Sequence, residues 1–313
     1  MTPDAYDRLP DIGPAAITLG VFDGVHRGHR HLVEVTTRAA AARGVASVAL
    51  VFTPHPEEVI RRGTVVPRLL PVEVTLERLR AAGIDHALAV RFDNAVRGLL
   101  PEEFLAGIAP AIQPRAVVMT PQSVFGRGRS GTLSRVAEIG LHLGFDAVAV
   151  DPAIVAGGLV SSSRIRATLA TGEIERANEL LGVPPFLRGT VVHGDARGRG
   201  LGFPTANLGF DYPAALPGLG IYFGRVGVPQ RGVGPAHPAL ISVGVRPTFH
   251  DAGNVLVEVH LLDWDGDLYD AMLDVELIHR LREERRFDST DALVTQMRRD
   301  EEQARGLIGL DGS

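Results

Sequence analysis

The chain has 313 residues, of which 45% are hydrophobic, and this predicts a globular protein long enough for two domains. It carries 37 acidic and 32 basic residues, a formal net charge of −5, and no cysteine. These values argue against a nucleic-acid partner and exclude a disulfide scaffold, a thiolate zinc site and a cysteine nucleophile. No apolar run is long enough to span a bilayer, and residues 1–13 do not resemble a secretory signal. We therefore expect a cytoplasmic protein with no membrane partner.

All 32 basic residues are arginine, because the sequence contains no lysine. Phosphate sites that depend on a lysine, such as the P-loop and the strand lysine of protein kinases, are therefore excluded. Any phosphate group must be bound by arginine, histidine, backbone N–H groups or a metal ion.

The first half of the chain alternates short β-rich runs with helical patterns. This alternation predicts a parallel sheet covered by helices on both faces, with ligands at the carboxyl ends of the strands. The predicted strands are Ala16–Val21, Ala46–Phe52, His86–Val90, Ala116–Met119 and Ala147–Val150. The predicted helices lie near Arg27–Arg43, Thr75–Ala82, Pro101–Ala109 and Thr132–Leu143.

A linker separates this half from a second half with a different pattern. Residues 161–181 predict a serine-capped helix that is interrupted at Gly172, and two consecutive prolines follow it. We therefore predict two domains, 1–182 and 183–313.

The second half is rich in strand-like segments. After Leu187, β-rich runs separated by turn residues predict an antiparallel, barrel-like fold. A final helix is predicted from about Ser289 to Leu307, with a cap at its start.

A histidine motif follows the first predicted strand, in the sequence TLGVFDGVHRGH of residues 18–29. His26 and His29 are three residues apart and share one face of the first helical turn. Gly24 and Gly28 allow a ligand to approach the backbone, and the helix N-terminus offers free N–H groups. The motif predicts a site where two imidazoles bind phosphate oxygens and stabilise charge on an α-phosphate. Two surface histidines or a zinc site are the alternatives.

A glycine-rich motif lies in the second half, in the sequence GTVVHGDARGRGLGFPTANL of residues 189–208. Thr205 and Asn207 alternate in an extended segment, so they share one face and offer neutral oxygens that suit Mg²⁺. A mobile hairpin loop is the alternative interpretation. The loop that could fold around phosphate groups contains Gly194, Arg197, Gly198, Arg199, Gly200 and Gly202.

The pattern GxFDGxHxGH of residues 20–29 resembles the nucleotidyltransferase signature of the bacterial bifunctional riboflavin kinase/FMN adenylyltransferases, also called FAD synthetases. Residues 52–56 (FTPHP) and 161–166 (SSSRIR) are similar to further motifs of that family. The resemblance implies an α/β, Rossmann-like nucleotidyltransferase domain with a parallel sheet, in which His26 and His29 are catalytic. It implies that the nucleotide is bound by Gly20, Phe22, Asp23, Gly24, His55, Ser161, Ser162 and Arg166.

One segment departs from the family pattern. Residues 117–126 read VVMTPQSVFG, so Thr120, Gln122 and Ser123 replace a glycine, an acidic or amide residue and a phenylalanine. Pro121 stiffens the segment. The resemblance assigns Gln122 and Phe125 to flavin binding. The departure favours a second hypothesis, a riboflavin kinase whose N-terminal domain is impaired in adenylyl transfer.

The string GDxRGRxLGFPTAN of residues 194–207 resembles the riboflavin kinase module of the same family. The resemblance implies a mainly antiparallel β-barrel with a C-terminal helix and Glu258 as the base that accepts the hydroxyl proton. It assigns Arg282 to flavin binding and Thr205 and Asn207 to Mg²⁺. It assigns nucleotide binding to Gly194, Arg197, Gly198, Arg199 and Gly202. Asp270 departs from the family pattern, because it stands where the family has the glycine of its LYG motif.

The resemblance implies two reactions, riboflavin + ATP → FMN + ADP and FMN + ATP → FAD + pyrophosphate. The implied cofactors are ATP and Mg²⁺, with FMN and FAD as products, and the implied partners are small molecules only. A third hypothesis, from another class, is a non-catalytic flavin-binding or regulatory protein. The sequence does not indicate the oligomeric state.

Overall fold

The computed structural model of the chain describes residues 9–194, 200–245 and 255–308. The described residues form two compact units. The first unit has the bounds Met1–Val66 and Pro71–Ser162, and the second has the bounds Pro67–Leu70 and Ser163–Ser313. None of the helices in the described ranges combines the length and the hydropathy that a membrane span requires.

The first unit contains a five-stranded sheet in the order β3-β2-β1-β4-β5. Every neighbouring pair is parallel, so the strand ends that carry ligands in such folds gather at one edge. The strands are β1 (Gly13–Gly20), β2 (Ala46–Thr53), β3 (His86–Arg91), β4 (Ile112–Met119) and β5 (Asp146–Ala149). The helices are α1 (Arg27–Ala41), α2 (Pro56–Ile60), α3 (Val72–Ala81), α4 (Asn94–Gly98), α5 (Pro101–Ile108) and α6 (Leu133–Leu143).

The core of this unit lies between the sheet and its helices. Continuous apolar runs in β1, β2 and β4 are buried, as expected for central strands of a parallel sheet. Thr132 caps the start of α6 by accepting a hydrogen bond from Arg135 N, and Gly144 ends it with a φ of 78°. A short antiparallel hairpin follows the sheet, made of β6 (Ile154–Val155) and β7 (Gly158–Leu159).

The second unit contains a closed barrel of six antiparallel strands. Helices α7 (Ser162–Ala170) and α8 (Ile174–Leu181) precede the barrel, and α9 (Thr290–Ile308) follows it. All of α7 except Ser162 belongs to this unit. The strand order is β10-β11-β12-β9-β8-β13, and the sheet closes through the pairing of β10 with β13. The strands are β8 (Phe186–Val192), β9 (Ala206–Gly209), β10 (Gly220–Val228), β11 (Val233–Val245), β12 (Val255–Leu261) and β13 (Met272–Glu283).

The predicted fold class is confirmed in both units. Ser289 caps the final helix as predicted, because its hydroxyl accepts a hydrogen bond from Ala292 N at 3.2 Å. The sequence patterns did not predict α2, α4, the β6–β7 hairpin or β9, all of which have five residues or fewer. The domain boundary at 182/183 stays a prediction, because compact packing of α7 and α8 with the barrel does not show which segments fold independently.

Candidate active sites

The two histidines of the first motif lie side by side at the start of α1. His26 is the N-cap residue, and its Nδ1 accepts a hydrogen bond from His29 N at 3.3 Å. The two rings stack with 3.6 Å between their centroids and an angle of 14° between their planes. A Cβ atom on Gly28 would lie 3.2 Å from Cε1 of His26, so the glycine leaves room for this imidazole. The structure therefore brings His26 and His29 together as predicted.

Both imidazoles are neutral at pH 7. Burial lowers the pKa of His26 to about 4 and lowers the pKa of His29 well below its usual value. The buried Nδ1 of His29 and the buried Oγ1 of Thr18 have no hydrogen-bond partner among the described residues. A buried polar atom without a partner is costly, and of these two residues only His29 lines a cavity that a ligand could enter. The sequence analysis did not select Thr18.

A cavity of about 690 Å³ opens beside His29. Of the residues assigned from the sequence, Gly20, Phe22, His29 and Phe125 line it. Its apolar part is built from phenylalanine rings in edge-to-face contact, with centroids 5.7 Å apart for Phe104 and Phe125. The cavity is large enough for a planar aromatic ligand with polar substituents.

The remaining predicted nucleotide residues of the first motif lie at or near this edge of the sheet. Asp23 is buried, and its backbone carbonyl accepts a hydrogen bond from Ser162 Oγ at 2.8 Å. Gly24 has a φ of 88°, a conformation that favours glycine. The structure therefore joins the serine-rich segment to the histidine motif through Ser162, whereas Ser161 is exposed.

Two predicted nucleotide residues make local contacts. His55 caps the short helix α2, because its Nδ1 accepts a hydrogen bond from Glu57 N at 3.2 Å. Arg166 lies in the second unit, and its guanidinium donates to Ser163 Oγ at 3.1 Å. Their nucleotide contacts stay predictions.

The segment that departs from the family pattern forms a hydrogen-bonded turn. Ser123 N donates to Thr120 O at 3.0 Å, and the two hydroxyl oxygens lie 2.8 Å apart. Pro121 takes the second position of this turn, where its fixed φ is favourable. Ser123 and Phe125 line the cavity, whereas Gln122 is exposed and is not among the lining residues. The flavin contact assigned to Gln122 stays a prediction.

In the barrel, the carboxylate of Glu258 lies beside the second motif. Thr205 Oγ1 donates to Glu258 Oε1 at 3.3 Å, and Asn207 is the register partner of Glu258 across β9 and β12. A Cβ atom on Gly194 would lie 2.1 Å from Asn207 Nδ2, so the amide occupies the space that glycine leaves open. Thr205 and Asn207 at the start of β9 therefore meet Glu258 of β12, which is 53 positions from Thr205 in the sequence.

The phosphate loop is described only in part. Gly202 is exposed with a φ of 87°, and Gly194 and Gly200 are described. Arg197, Gly198 and Arg199, which were assigned to the nucleotide, lie outside the described residues.

The donor set near Glu258 fits Mg²⁺. It offers the hydroxyl of Thr205, the side-chain amide of Asn207 and one carboxylate, all of which supply the oxygen ligands that this ion prefers. No group of three or more His, Cys, Asp or Glu residues that could hold a metal occurs in the described part of the chain. A site of this kind suits an ion that takes its other ligands from ATP phosphates and water.

Arg282, which was assigned to flavin, makes a buried ion pair. Its Nη2 donates to Asp300 Oδ2 at 2.7 Å and its Nε to Asp300 Oδ1 at 2.9 Å, with side chains 18% and 4% exposed. Gln296 Nε2 donates to the same carboxylate at 2.7 Å. This bidentate pair ties α9 to β13, and a flavin contact of Arg282 stays a prediction.

An aromatic pair that the sequence analysis did not select lies next to Gly194. The rings of His193 and Tyr269 stack with 4.2 Å between centroids, and Tyr269 is 45% exposed. The following residue, Asp270, has a φ of 60°. The turn therefore keeps the left-handed backbone that glycine would favour, even though an aspartate occupies it.

Family models match both parts of the chain. A riboflavin kinase model matches residues 181–308, and a FAD synthetase model matches residues 10–164. Both a kinase domain and a nucleotidyltransferase domain of these families are therefore present.

The chain is similar to curated and solved proteins over nearly its whole length. It is 32% identical over 307 residues to the bifunctional riboflavin kinase/FMN adenylyltransferase of Listeria monocytogenes, covering 98% of this chain and 96% of that protein. It is 35% identical over 295 residues to that of Escherichia coli K12, covering 94% and 93%. A crystal structure described as a macrolide-efflux protein from Streptococcus pneumoniae covers 96% of each chain at 30% identity and a TM-score of 0.86. The family resemblance is confirmed, and this chain belongs to the bifunctional riboflavin kinase/FMN adenylyltransferase family.

Proposed function

We propose that this protein phosphorylates riboflavin to FMN in the domain of residues 183–313 and adenylylates FMN to FAD in the domain of residues 1–182. The observation that carries the proposal is the meeting of Thr205 and Asn207, at the start of β9, with Glu258 of β12. The substrates of these two reactions are riboflavin, FMN and ATP. The cytoplasmic location of the protein stays a prediction.

In the kinase reaction, the 5′-hydroxyl oxygen of riboflavin attacks the γ-phosphorus of ATP. The bond from the γ-phosphorus to the β–γ bridging oxygen breaks, ADP leaves, and the hydroxyl proton passes to the Glu258 carboxylate. Thr205 Oγ1 donates a hydrogen bond to Glu258 Oε1 and so orients this carboxylate. Thr205 and Asn207 would hold Mg²⁺, which would supply positive charge to neutralise the phosphate groups.

In the adenylyl transfer, a phosphate oxygen of FMN attacks the α-phosphorus of ATP. The bond from the α-phosphorus to the α–β bridging oxygen breaks, and pyrophosphate leaves with its electrons. His29 lines the cavity, and its lowered pKa keeps the ring neutral, so the ring nitrogen that carries the proton can donate a hydrogen bond to a phosphate oxygen of the nucleotide. His26 holds that ring in place by stacking. The positive end of α1 adds to the stabilisation of phosphate charge.

The second hypothesis, a kinase with an impaired nucleotidyltransferase domain, depended on the segment of residues 117–126. Thr120 and Ser123, two of the three replacing residues, hold this segment in a turn by hydrogen bonds, and the match to the FAD synthetase model over residues 10–164 supports the bifunctional proposal. Phe125 remains in the cavity wall.

Two variants test the proposal separately in each domain. Glu258→Gln should abolish FMN formation from riboflavin and leave conversion of supplied FMN to FAD, since it removes the proton acceptor of one reaction only. His29→Ala should let FMN accumulate while FAD formation falls. The matched controls are Glu302→Gln, exposed on α9, and His31→Ala, which pairs with Glu34 on the same helix. Chromatography of the flavins gives the readout, and unchanged FAD output from His29→Ala would refute the role of that residue.

A further inference from the structure

The lining of the cavity beside His29 contains two chemically different sets of side chains, called here its aromatic part and its cationic part. One part is aromatic and contains Phe22, Phe52, Phe92, Phe104 and Phe125. The other is cationic and contains Arg97, Arg127 and Arg129, and none of the described residues that line the cavity is acidic. A planar apolar ring system with an attached anion matches this division.

The cationic part lacks internal compensation. The guanidinium groups of Arg97, Arg127 and Arg129 have no hydrogen-bond or ion-pair partner among the described residues. Glu102, whose carboxyl pKa Arg127 helps to lower, is already paired with Arg135 at 3.2 Å. All three arginines are exposed, so solvent screens their mutual repulsion, and their side chains are free to bind an anion that enters the cavity.

The turn that carries two of these arginines is held in place by its own contacts. Arg127 N donates to Leu99 O at 2.6 Å, and Gly131 N donates to Phe125 O at 2.9 Å. A Cβ atom on Gly126 would lie 2.9 Å from Pro101 Cδ, so this glycine allows the turn to pack against α5. Arg129 adopts a φ of 61°, where glycine would be less costly. The turn therefore places Arg127 and Arg129 in the lining of the same cavity as Phe125, at a cost in backbone strain.

We propose that Arg127 and Arg129 recognise the phosphate group of the flavin, so that this cavity selects FMN over riboflavin. The inference rests on the proposed adenylyl transfer and adds the source of its substrate selectivity. Riboflavin would place a neutral hydroxyl among these cations, whereas FMN would place a dianion there and form charge-assisted, bidentate hydrogen bonds. The selection prevents the kinase substrate from occupying the site of the second reaction.

Steady-state adenylyl transfer from supplied FMN, with 5′-deoxyriboflavin as a competitor, tests the proposal. This competitor has the flavin ring but no 5′-oxygen, so neither domain can phosphorylate or adenylylate it there. In the double variant Arg127→Gln/Arg129→Gln, KM for FMN should rise by about tenfold or more, because two charge-assisted interactions are lost. The inhibition constant of the competitor and KM for ATP should stay unchanged.

The matched control is Arg115→Gln, an exposed arginine on β4 that does not line the cavity. It should leave all three constants unchanged. An equal rise in KM for FMN and in the competitor's inhibition constant would show a loss of cavity shape and overturn the proposal. A rise in KM for ATP alone would place the arginines at the nucleotide and also overturn it.

A binding measurement separates this inference from the proposed reaction. Titration of the full chain with FMN, followed by flavin fluorescence without ATP, should show two classes of site in the wild type and in Arg115→Gln. In the double variant, one class should bind FMN about tenfold or more weakly. Unchanged affinity at both classes overturns the inference. If the wild type binds FMN at both classes but forms no FAD, only the proposed adenylyl transfer is refuted.

Discussion

Replacing Gly194 by alanine should selectively disable the kinase site. The new Cβ atom would lie 2.1 Å from Asn207 Nδ2 and 2.7 Å from its Cγ. Since non-bonded heavy atoms are in optimal contact at about 3.5 Å, the amide of Asn207 must move by more than about 1 Å. A displacement of this size in a catalytic group costs on the order of 100-fold in rate. We therefore expect kcat for FMN formation to fall by about two orders of magnitude.

The assay follows conversion of riboflavin to FMN and, separately, of supplied FMN to FAD. The second activity should be unchanged, because Gly194 lies in the barrel unit. Gly234→Ala in strand β11 is the matched control, since no atom lies within 4 Å of a Cβ placed there and Gly234 does not have a left-handed φ. A Gly194→Ala enzyme with wild-type kinase activity would refute the claim that Asn207 must stay where it lies.

Two further predictions concern stability. The pKa of His26 is about 4 in the folded protein and 6.5 in the unfolded chain. Between pH 4 and 6.5 the unfolded state therefore binds more protons than the folded state. The free energy of unfolding should therefore fall by about 3 kcal/mol as the pH drops from 6.5 to 4, and denaturant titrations should show a smaller fall for His26→Asn. Arg282→Met should destabilise the barrel by about 3–5 kcal/mol, because it leaves the Asp300 carboxylate buried without its cation. In thermal unfolding, the double variant Arg282→Met/Asp300→Leu should regain stability relative to Arg282→Met. A double variant that is as unstable as Arg282→Met would contradict this account.

The regular elements of the fold could be predicted because their signals are local. Alternation of apolar runs and helical patterns marked all five strands of the parallel sheet. Strand β9 has four residues and includes the polar Asn207, so it has no strand pattern of its own, and its place in the barrel comes from pairing with β8 and β12. Local sequence patterns do not predict short segments whose structure depends on distant partners.

The motifs of the candidate sites could be predicted from the sequence, but the contacts between their residues could not. The stacking of His26 on His29 follows from helical spacing, whereas the hydrogen bond between Thr205 and Glu258 joins residues 53 positions apart. Arg282 was assigned to flavin by resemblance alone, and its ion pair with Asp300 could not be seen in the sequence. The cationic part of the cavity is formed by α4 and a turn after β4, and no sequence motif links them.

The central claim is that one chain carries out two successive transfers on a flavin. The most direct measurement incubates the purified full chain with riboflavin, ATP and Mg²⁺ and resolves the flavins and nucleotides by chromatography over time. Our account predicts that FMN appears first and FAD follows, with one ADP per riboflavin consumed and one pyrophosphate per FAD formed. Accumulation of FMN without FAD would contradict the bifunctional claim and support a kinase with an impaired partner domain, and unchanged riboflavin would contradict both.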